Sequence, residues 1–539
     1  MSLSKFSEQA AAWEKRWTSE YDAGVKRHLE WTESTLNDRL RYWAERQPDK
    51  AYVLYKERVL SYKECNILAC RLANALLAHG CKKGDRVLLS LPNIPEIIIS
   101  FLACYKIGAI CVGLDARSSQ MEMERIIADS GARTMILIDK YADKGLRLLS
   151  DGRLERLLLV GERINIENVF DYYDFLYAGA DEEPEVVVVP DDQQILYYTG
   201  GTTGKSKGCC HTNRTLAGHS LMYKNWFAPR INLEQSVTLL CLPITHSYGM
   251  HFSVNWPLYN GGTVVLIDTP TGAAIVNAFN RYEPNIWPAV PALINCVLHE
   301  DSVKESKISD LELIFCGGAP IARGHLAELQ RLTKAKVLEG YGMSESLCTV
   351  SFNPINRPGK LGSVGIPLSD VDVLIVDMDD GQTLVPPGHK GEIIYRGPQV
   401  IKQYWRNAEE NAAIRDGWLY SGDIGYLDED GYLYITDRKK DMIIVGGVNV
   451  YPREIDELLS QHMKIKDVCT VGVPDERMGE VPKSFVALKP GETMTEQEVI
   501  AYCREYLSHI KVPRYVAFIS EIPKTKVNKL DKCALRKLG

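Results

Sequence analysis

The stretch TGGTTGKSKG, residues 199–208, holds four glycines, three threonines and two lysines directly after the apolar run ILYY. Glycine lets a main chain approach a ligand closely and adopt positive φ. Backbone N–H groups and threonine hydroxyls donate to phosphate oxygens, and lysine adds charge. The chemistry this loop suits is phosphate binding. Gly204-Lys205-Ser206 imitates the end of a Walker A loop, but the leading glycine would fall at Thr199, so a P-loop NTPase is disfavoured by one position. Cys209-Cys210 follow and read as structural thiols.

These groups need a scaffold. Tyr62 to His79 carries Ile67, Leu68, Leu72, Ala75 and Leu76 at helical spacing, and Gly80 follows as a cap. RVLLSL (86–91) reads as a buried strand, Ile94 to Tyr105 as an apolar helix, and Met135 to Asp139 as the next strand. That alternation predicts α/β layers around a parallel sheet. The first 50 residues read as polar helices, and the acidic, proline-bounded 180–192 as a surface connector. After it come the strand-length runs VTLLCL, TVVLID and LELIFC. From about residue 360 short strands separated by Gly, Pro and Asp turns predict a β-rich subdomain, extending to 436. Beyond Asp437, Pro452 opens an amphipathic helix, and roughly the last hundred residues suffice for a small α+β domain.

The balance of 63 basic against 70 acidic residues, net −7, disfavours a nucleic-acid partner, which requires a basic face. It leaves a local anion pocket open. The 14 cysteines form no C-x-x-C, and the first residues carry charges rather than a secretory apolar core, so a reducing, cytoplasmic setting is expected. The apolar stretch Ile97–Leu114 is cut by Lys106 and is too short to span a bilayer.

The loop resembles the phosphate-binding signature of the adenylate-forming superfamily, which comprises acyl-CoA synthetases, adenylation domains and firefly-type luciferases. Gly200 stands where that pattern has Ser, Ser206 where it has Pro, and Lys207 at its phosphate-contacting lysine. LPITHSYG (242–249), GGAP (317–320), YGMSE (341–345), YSGD (420–423), DRKKD (437–441), GGVNVYPREI (446–455) and PKTKVNK (523–529) resemble the remaining signatures, in order. The resemblance is greatest to fatty-acid and aryl-acid CoA ligases. It implies a large N-terminal adenylation domain of layered α/β subdomains plus the β-rich subdomain (1–436), and a mobile α+β C-terminal lid (437–539).

By that resemblance, Thr199, Gly201, Thr202, Thr203, Gly204 and Lys207 hold phosphates. Gly317, Gly318, Ala319, Tyr341 and Gly342 hold adenine, with Tyr341 stacking on it. Ser344 contacts the α-phosphate, Glu345 holds Mg²⁺, and Asp423 and Arg438 reach the ribose. His246, Tyr248, Trp287, Val290, Pro291, Gly317 and Leu347 border the acyl pocket. Asp437 is the hinge, Lys529 the catalytic lysine, and Lys440, Gly446 and Gly447 meet CoA. Asn528 departs from the usual Gly, though Asn tolerates left-handed φ. The activity implied is conversion of a carboxylic acid, a fatty or other hydrophobic one, with ATP to acyl-AMP, then acyl transfer to CoA. Competing readings are a stand-alone enzyme loading a carrier-protein thiol, a luciferase-like oxygenase and a non-catalytic nucleotide-binding regulator. A homodimer and attachment to a membrane surface are left open.

Overall fold

The computed structural model describes residues 3–31, 33–199, 207–318, 321, 323–407, 410–525 and 530–538. A seven-stranded sheet runs in the order Val169–Asp171, Arg156–Val160, Thr134–Ile138, Arg86–Ser90, Ile110–Gly113, Gln193–Thr199, Lys207–Thr212. Its pairings are parallel except the last, where Gln193–Thr199 and Lys207–Thr212 form an antiparallel hairpin. The glycine-rich segment connects those two strands, with Thr199 opposite Lys207.

Local chemistry sets the helices. Ser61 and Glu64 cap Tyr62–Ala78 reciprocally, and Gly108 at φ 63° ends Pro95–Ile107. Pro95–Ile107 is buried along its whole length. Its Lys106 is tolerated there because its ammonium donates to Asn66 Oδ1 at 2.8 Å and Glu183 Oε1 at 2.7 Å. Among the described residues, no helix is long and apolar enough to cross a membrane.

A nine-stranded sheet packs beside the first. Its order is Ile366–Pro367, Ser351–Phe352, Lys336–Tyr341, Leu313–Cys316, Ile286–Ala289, Val237–Leu240, Thr263–Leu266, Ala51–Tyr55, Arg58–Ser61. From Lys336–Tyr341 to Ala51–Tyr55 it is parallel. Gly317 and Tyr341 lie at the carboxyl ends of neighbouring strands, the edge where open α/β sheets bind ligands. The third sheet, Asp372–Val376, Gly391–Arg396, Ile414–Arg415, Trp418–Leu427 and Leu433–Arg438, is antiparallel throughout. A fourth, built from Ile443–Val445, Val448–Val450, Ile465–Asp475, Gly479–Leu488 and Tyr515–Phe518, has its own hydrophobic core from Ile443 to Leu535.

The N-terminal helices are polar on average yet anchored. Trp17, Leu36, Leu40 and Trp43 are buried. Trp17 lies so close to Gly431 that a Cβ there would sit 3.1 Å from the Trp17 Cβ.

Candidate functional site

Lys207 opens the second strand of the hairpin, and its ammonium lies 5.7 Å from the Tyr404 ring centroid. Tyr404 in turn donates its hydroxyl to Glu345 Oε1 at 2.9 Å. The 400–405 segment is stitched into place by two main-chain bonds, Ile401 N–H to the Glu345 carbonyl (2.9 Å) and Trp405 N–H to the Gly208 carbonyl (2.8 Å). Glu345 is 5% exposed. Burial pushes its carboxyl above the usual range, while the Tyr404 hydroxyl and the Lys207 charge pull it back.

Glu345 and Ser344 lie on a tight turn after Lys336–Tyr341, followed by Leu347 at φ 53° and Cys348 at φ 60°. Two successive left-handed residues without glycine are strained backbone, held here by tight packing. A Cβ on Gly342 would fall 2.1 Å from the Cys348 carbonyl carbon, so only glycine fits there.

Tyr341 donates its hydroxyl to Asp423 Oδ2 at 2.7 Å, and Arg438 Nε lies 3.2 Å from Asp423 Oδ1. Asp423 and Arg438 are opposite each other on Trp418–Leu427 and Leu433–Arg438, so strand register makes this pair. Asp437, next in that strand, accepts from the N–H of Arg438 (2.8 Å) and the N–H of Arg453 (3.0 Å). Lys532 Nζ approaches Asp437 to 3.9 Å and Asp441 to 3.7 Å. The chain therefore ties the end of the third sheet to the elements after it through one carboxylate.

Tyr248 lies against Gly317, where a Cβ would stand 3.1 Å from its ring, and its hydroxyl lies 3.1 Å from the Ala289 carbonyl and 3.2 Å from that of Phe315. Ser247 Oγ donates to Ser344 Oγ at 3.4 Å and lies 3.0 Å from Cys348 Sγ. His246 accepts the Tyr248 N–H on Nδ1 at 3.1 Å, capping the turn that carries both. Val290 is half-buried before Pro291, and Leu347 is fully buried.

Trp287 corrects the expected acyl pocket. It is fully buried against Phe279 of the helix Gly272–Tyr282, with ring centroids 5.4 Å apart. Pro288, the next residue, pairs with Phe315, whose ring meets Phe252 at 5.2 Å. Side chains alternate across a strand, so Trp287 faces the opposite side of the sheet from the Tyr248–Phe252 layer.

On the C-terminal side, partial burial and the Arg438 charge bring the Lys440 ammonium down to about 8. Gly446 (φ 57°) and Gly447 (φ 84°) form the two-residue turn between Ile443–Val445 and Val448–Val450, a conformation that demands positive φ at both positions. Gly201, Thr202, Thr203, Gly204, Ala319 and Lys529 lie outside the described residues; Gly318, at φ 80°, is the described part of the turn after Leu313–Cys316.

Among the described residues, no group of three or more His, Cys, Asp or Glu side chains could hold a metal by itself. One buried carboxylate, Glu345, suits Mg²⁺ that arrives with nucleotide phosphates, since Mg²⁺ commonly takes one or two carboxylates plus phosphate oxygens. Sequence reasoning missed Tyr404 and three buried histidines, His211, His219 and His251. His211 Nε2 donates to the Ser344 carbonyl at 2.8 Å, directly behind the Glu345 turn.

Carboxyl ends of parallel strands, a glycine-rich hairpin with its lysine, a buried carboxylate and a Tyr–Asp–Arg group define a nucleotide-handling enzyme of the two-part α/β type. The chain belongs to the AMP-binding enzyme family: residues 40–405 match the family model for AMP-binding enzymes, and 454–529 match that for the AMP-binding enzyme C-terminal domain. It is 31% identical to a long-chain-fatty-acid–CoA ligase of Bacillus subtilis (strain 168), over 96% of this chain and 97% of that one. It is 33% identical to a feruloyl-CoA synthase of an Amycolatopsis species, over 92% and 97%. Among solved structures, ATP-bound MatB from Rhodopseudomonas palustris superimposes with a TM-score of 0.87 at 26% identity, covering 94% of this chain and 99% of that one. The anthranilate CoA ligase AuaEII in complex with anthranoyl-AMP gives 0.86 at 25%, covering 95% and 98%.

Proposed function

We propose that this chain is an ATP-dependent acid–CoA ligase that activates a hydrophobic carboxylic acid as its acyl-adenylate. The observation that carries the reading is the convergence of Lys207, Glu345, Tyr341, Asp423 and Arg438, from separate segments, into one electrostatically connected group.

A carboxylate oxygen attacks the α-phosphorus of ATP, and pyrophosphate leaves. No general base is needed, because the nucleophile is already ionised. Lys207, the loop 199–206 and Ser344 would stabilise the charge on the phosphate oxygens by fixed donors. Tyr341 would pack on adenine, and the Asp423–Arg438 pair would hold the ribose hydroxyls. Glu345 would hold the Mg²⁺ that accompanies ATP, and that ion would supply further charge neutralisation when bound. Lys529 would bridge the acid and the phosphate, aligning them in line.

In the second step the CoA thiol attacks the acyl carbonyl and AMP leaves. The reading assigns residues 437–539 to a lid that turns about Asp437, exchanging Lys529 for the exposed Gly446–Gly447 hairpin and Lys440. The setting it implies is the reducing cytoplasm, where the chain's 14 free thiols stay unpaired. Acid-dependent release of pyrophosphate from Mg-ATP, with thioester appearing only when CoA is added, tests the whole reading. Formation of ADP and orthophosphate would contradict it.

A further inference from the structure

Neither reaction step uses the chain before Thr35, yet many of its polar groups are held. After the helix Leu3–Ser19 it runs irregularly to Trp31. Surface segments of that kind are ordinarily the mobile part of a fold. This one is pinned to the third sheet and its approach. The Tyr21 hydroxyl donates to the Pro367 carbonyl at 2.8 Å, and Arg27, with its side chain 11% exposed, donates to Asp372 Oδ1 at 2.6 Å. Asp370 Oδ2 accepts the Leu29 N–H (3.0 Å) and the Trp31 indole N–H (3.1 Å). Arg16 reaches a turn of the same sheet, where it donates to the Glu429 carbonyl at 2.9 Å.

The same segment holds a second body, the helix Asn213–Phe227. The Asn225 side-chain amide clasps the Lys26 main chain at both ends. Its Oδ1 accepts the Lys26 N–H at 3.1 Å, and its Nδ2 donates to the Lys26 carbonyl at 2.9 Å. That carbonyl also accepts the Ser369 hydroxyl at 2.6 Å, so one main-chain oxygen joins the helix to the approach of the third sheet. Arg214, in the first turn of the helix, donates to Glu33 Oε1 at 2.8 Å. A Cβ on Gly218 would fall 2.1 Å from the Trp31 ring, so glycine at this helix position is what lets the indole dock. Trp31 therefore touches both bodies, with its ring on the helix and its N–H on Asp370.

The two bodies carry different halves of the nucleotide site. The helix continues the strand Lys207–Thr212, with Thr212 capping its first turn, and so holds Lys207. The third sheet carries Asp423 and Arg438. Phosphates and ribose hydroxyls belong to one ligand, so the groups that bind them must keep a fixed spacing. Spacing set before binding converts contacts into affinity, because less ordering remains to be done when the ligand arrives.

We infer that residues 21–31 are positioning residues for ATP: they brace the phosphate-binding half of the site against the ribose-binding half without touching the nucleotide. The inference rests on the ligase reading above and adds to it a determinant of ATP affinity outside the site. Binding linkage is reciprocal, so a brace that favours ATP is itself tightened by ATP.

Titration calorimetry of the whole chain with Mg-ATP tests it. Asn225→Ala removes both Lys26 bonds on the helix side, and Arg27→Gln removes the Asp372 ion pair on the sheet side. Each should raise the Kd for Mg-ATP by about threefold or more. Phe175→Leu, a core change in the helix Tyr172–Tyr177 on neither body, should lower the melting temperature and leave that Kd within about twofold of wild type. Hydrogen exchange read by mass spectrometry on the wild type decides even where a variant does not fold. Mg-ATP should slow amide exchange in residues 21–31 by about threefold or more. An unchanged Kd in either folded variant, a Kd raised equally by Phe175→Leu, or exchange in 21–31 unaffected by Mg-ATP overturns the brace alone. Wild-type protein that binds no Mg-ATP overturns the ligase reading and the brace with it.

Discussion

The hydroxyl of Tyr404 donates to Oε1 of Glu345 across 2.9 Å, joining the segment after Val400 to the turn after Lys336–Tyr341. Burial works against the charge on Glu345, and this bond and Lys207 work for it. Tyr404→Phe removes a donor that favours the ionised carboxylate, so the Glu345 carboxyl rises further. Adenylation at pH 7 should fall by about tenfold, matching a cost of about 1–3 kcal/mol for an unmet buried acceptor. The acid limb of the pH–rate profile should move to higher pH. A uniform loss with an unmoved limb would show that Tyr404 only packs.

The buried histidines give the fold a pH dependence of defined sign. Burial lowers His211 to about 4 and His219 to about 3, from an ordinary value of 6.5. The unfolded chain therefore takes up protons below about pH 6.5 that the folded chain refuses. Their neutral forms contribute full stability above that pH, and the contribution is lost as pH falls toward 4. At 1.36 kcal/mol per pH unit, His211 alone amounts to about 3 kcal/mol. The urea midpoint should drop between pH 7 and pH 5, and by less in His219→Phe. Equal drops in both proteins would exclude His219 as a source.

If Lys529 serves the first step alone, Lys529→Ala should separate the two half-reactions. Adenylation should fall by a factor of about 10² to 10³, as when one preorganised charge-stabilising donor is removed. Thioester formation from supplied acyl-adenylate should be nearly unchanged. Quench-flow measurement of each step checks this, and equal loss in both would contradict the assignment of Lys529 to the first step alone.

Much of this was legible in the chain. The α/β alternation, the β-rich stretch from about 360 and the separate C-terminal strands are periodicity signals, and the signature segments marked Lys207, Glu345, Tyr341, Asp423 and Arg438. What escaped depended on long-range packing. Tyr404 lies in irregular chain, with no periodic pattern, and meets Glu345 only through the folding of the third sheet region. Trp287, expected to border the acyl pocket, is turned by strand alternation toward Phe279, and strand facing is not readable from four apolar residues. His211, His219 and His251 sit on three different elements, so their meeting has no local sequence signal.

The most direct measurement follows oxygen. With the acid labelled by ¹⁸O in its carboxylate, attack on the α-phosphorus makes one labelled oxygen the bridge of the acyl-adenylate, and thiol attack on the carbonyl leaves that oxygen on phosphorus. Mass spectrometry of the products formed with ATP and CoA should find one ¹⁸O in AMP and none in pyrophosphate. Unlabelled AMP, or label in orthophosphate released alongside ADP, would contradict activation through an acyl-adenylate.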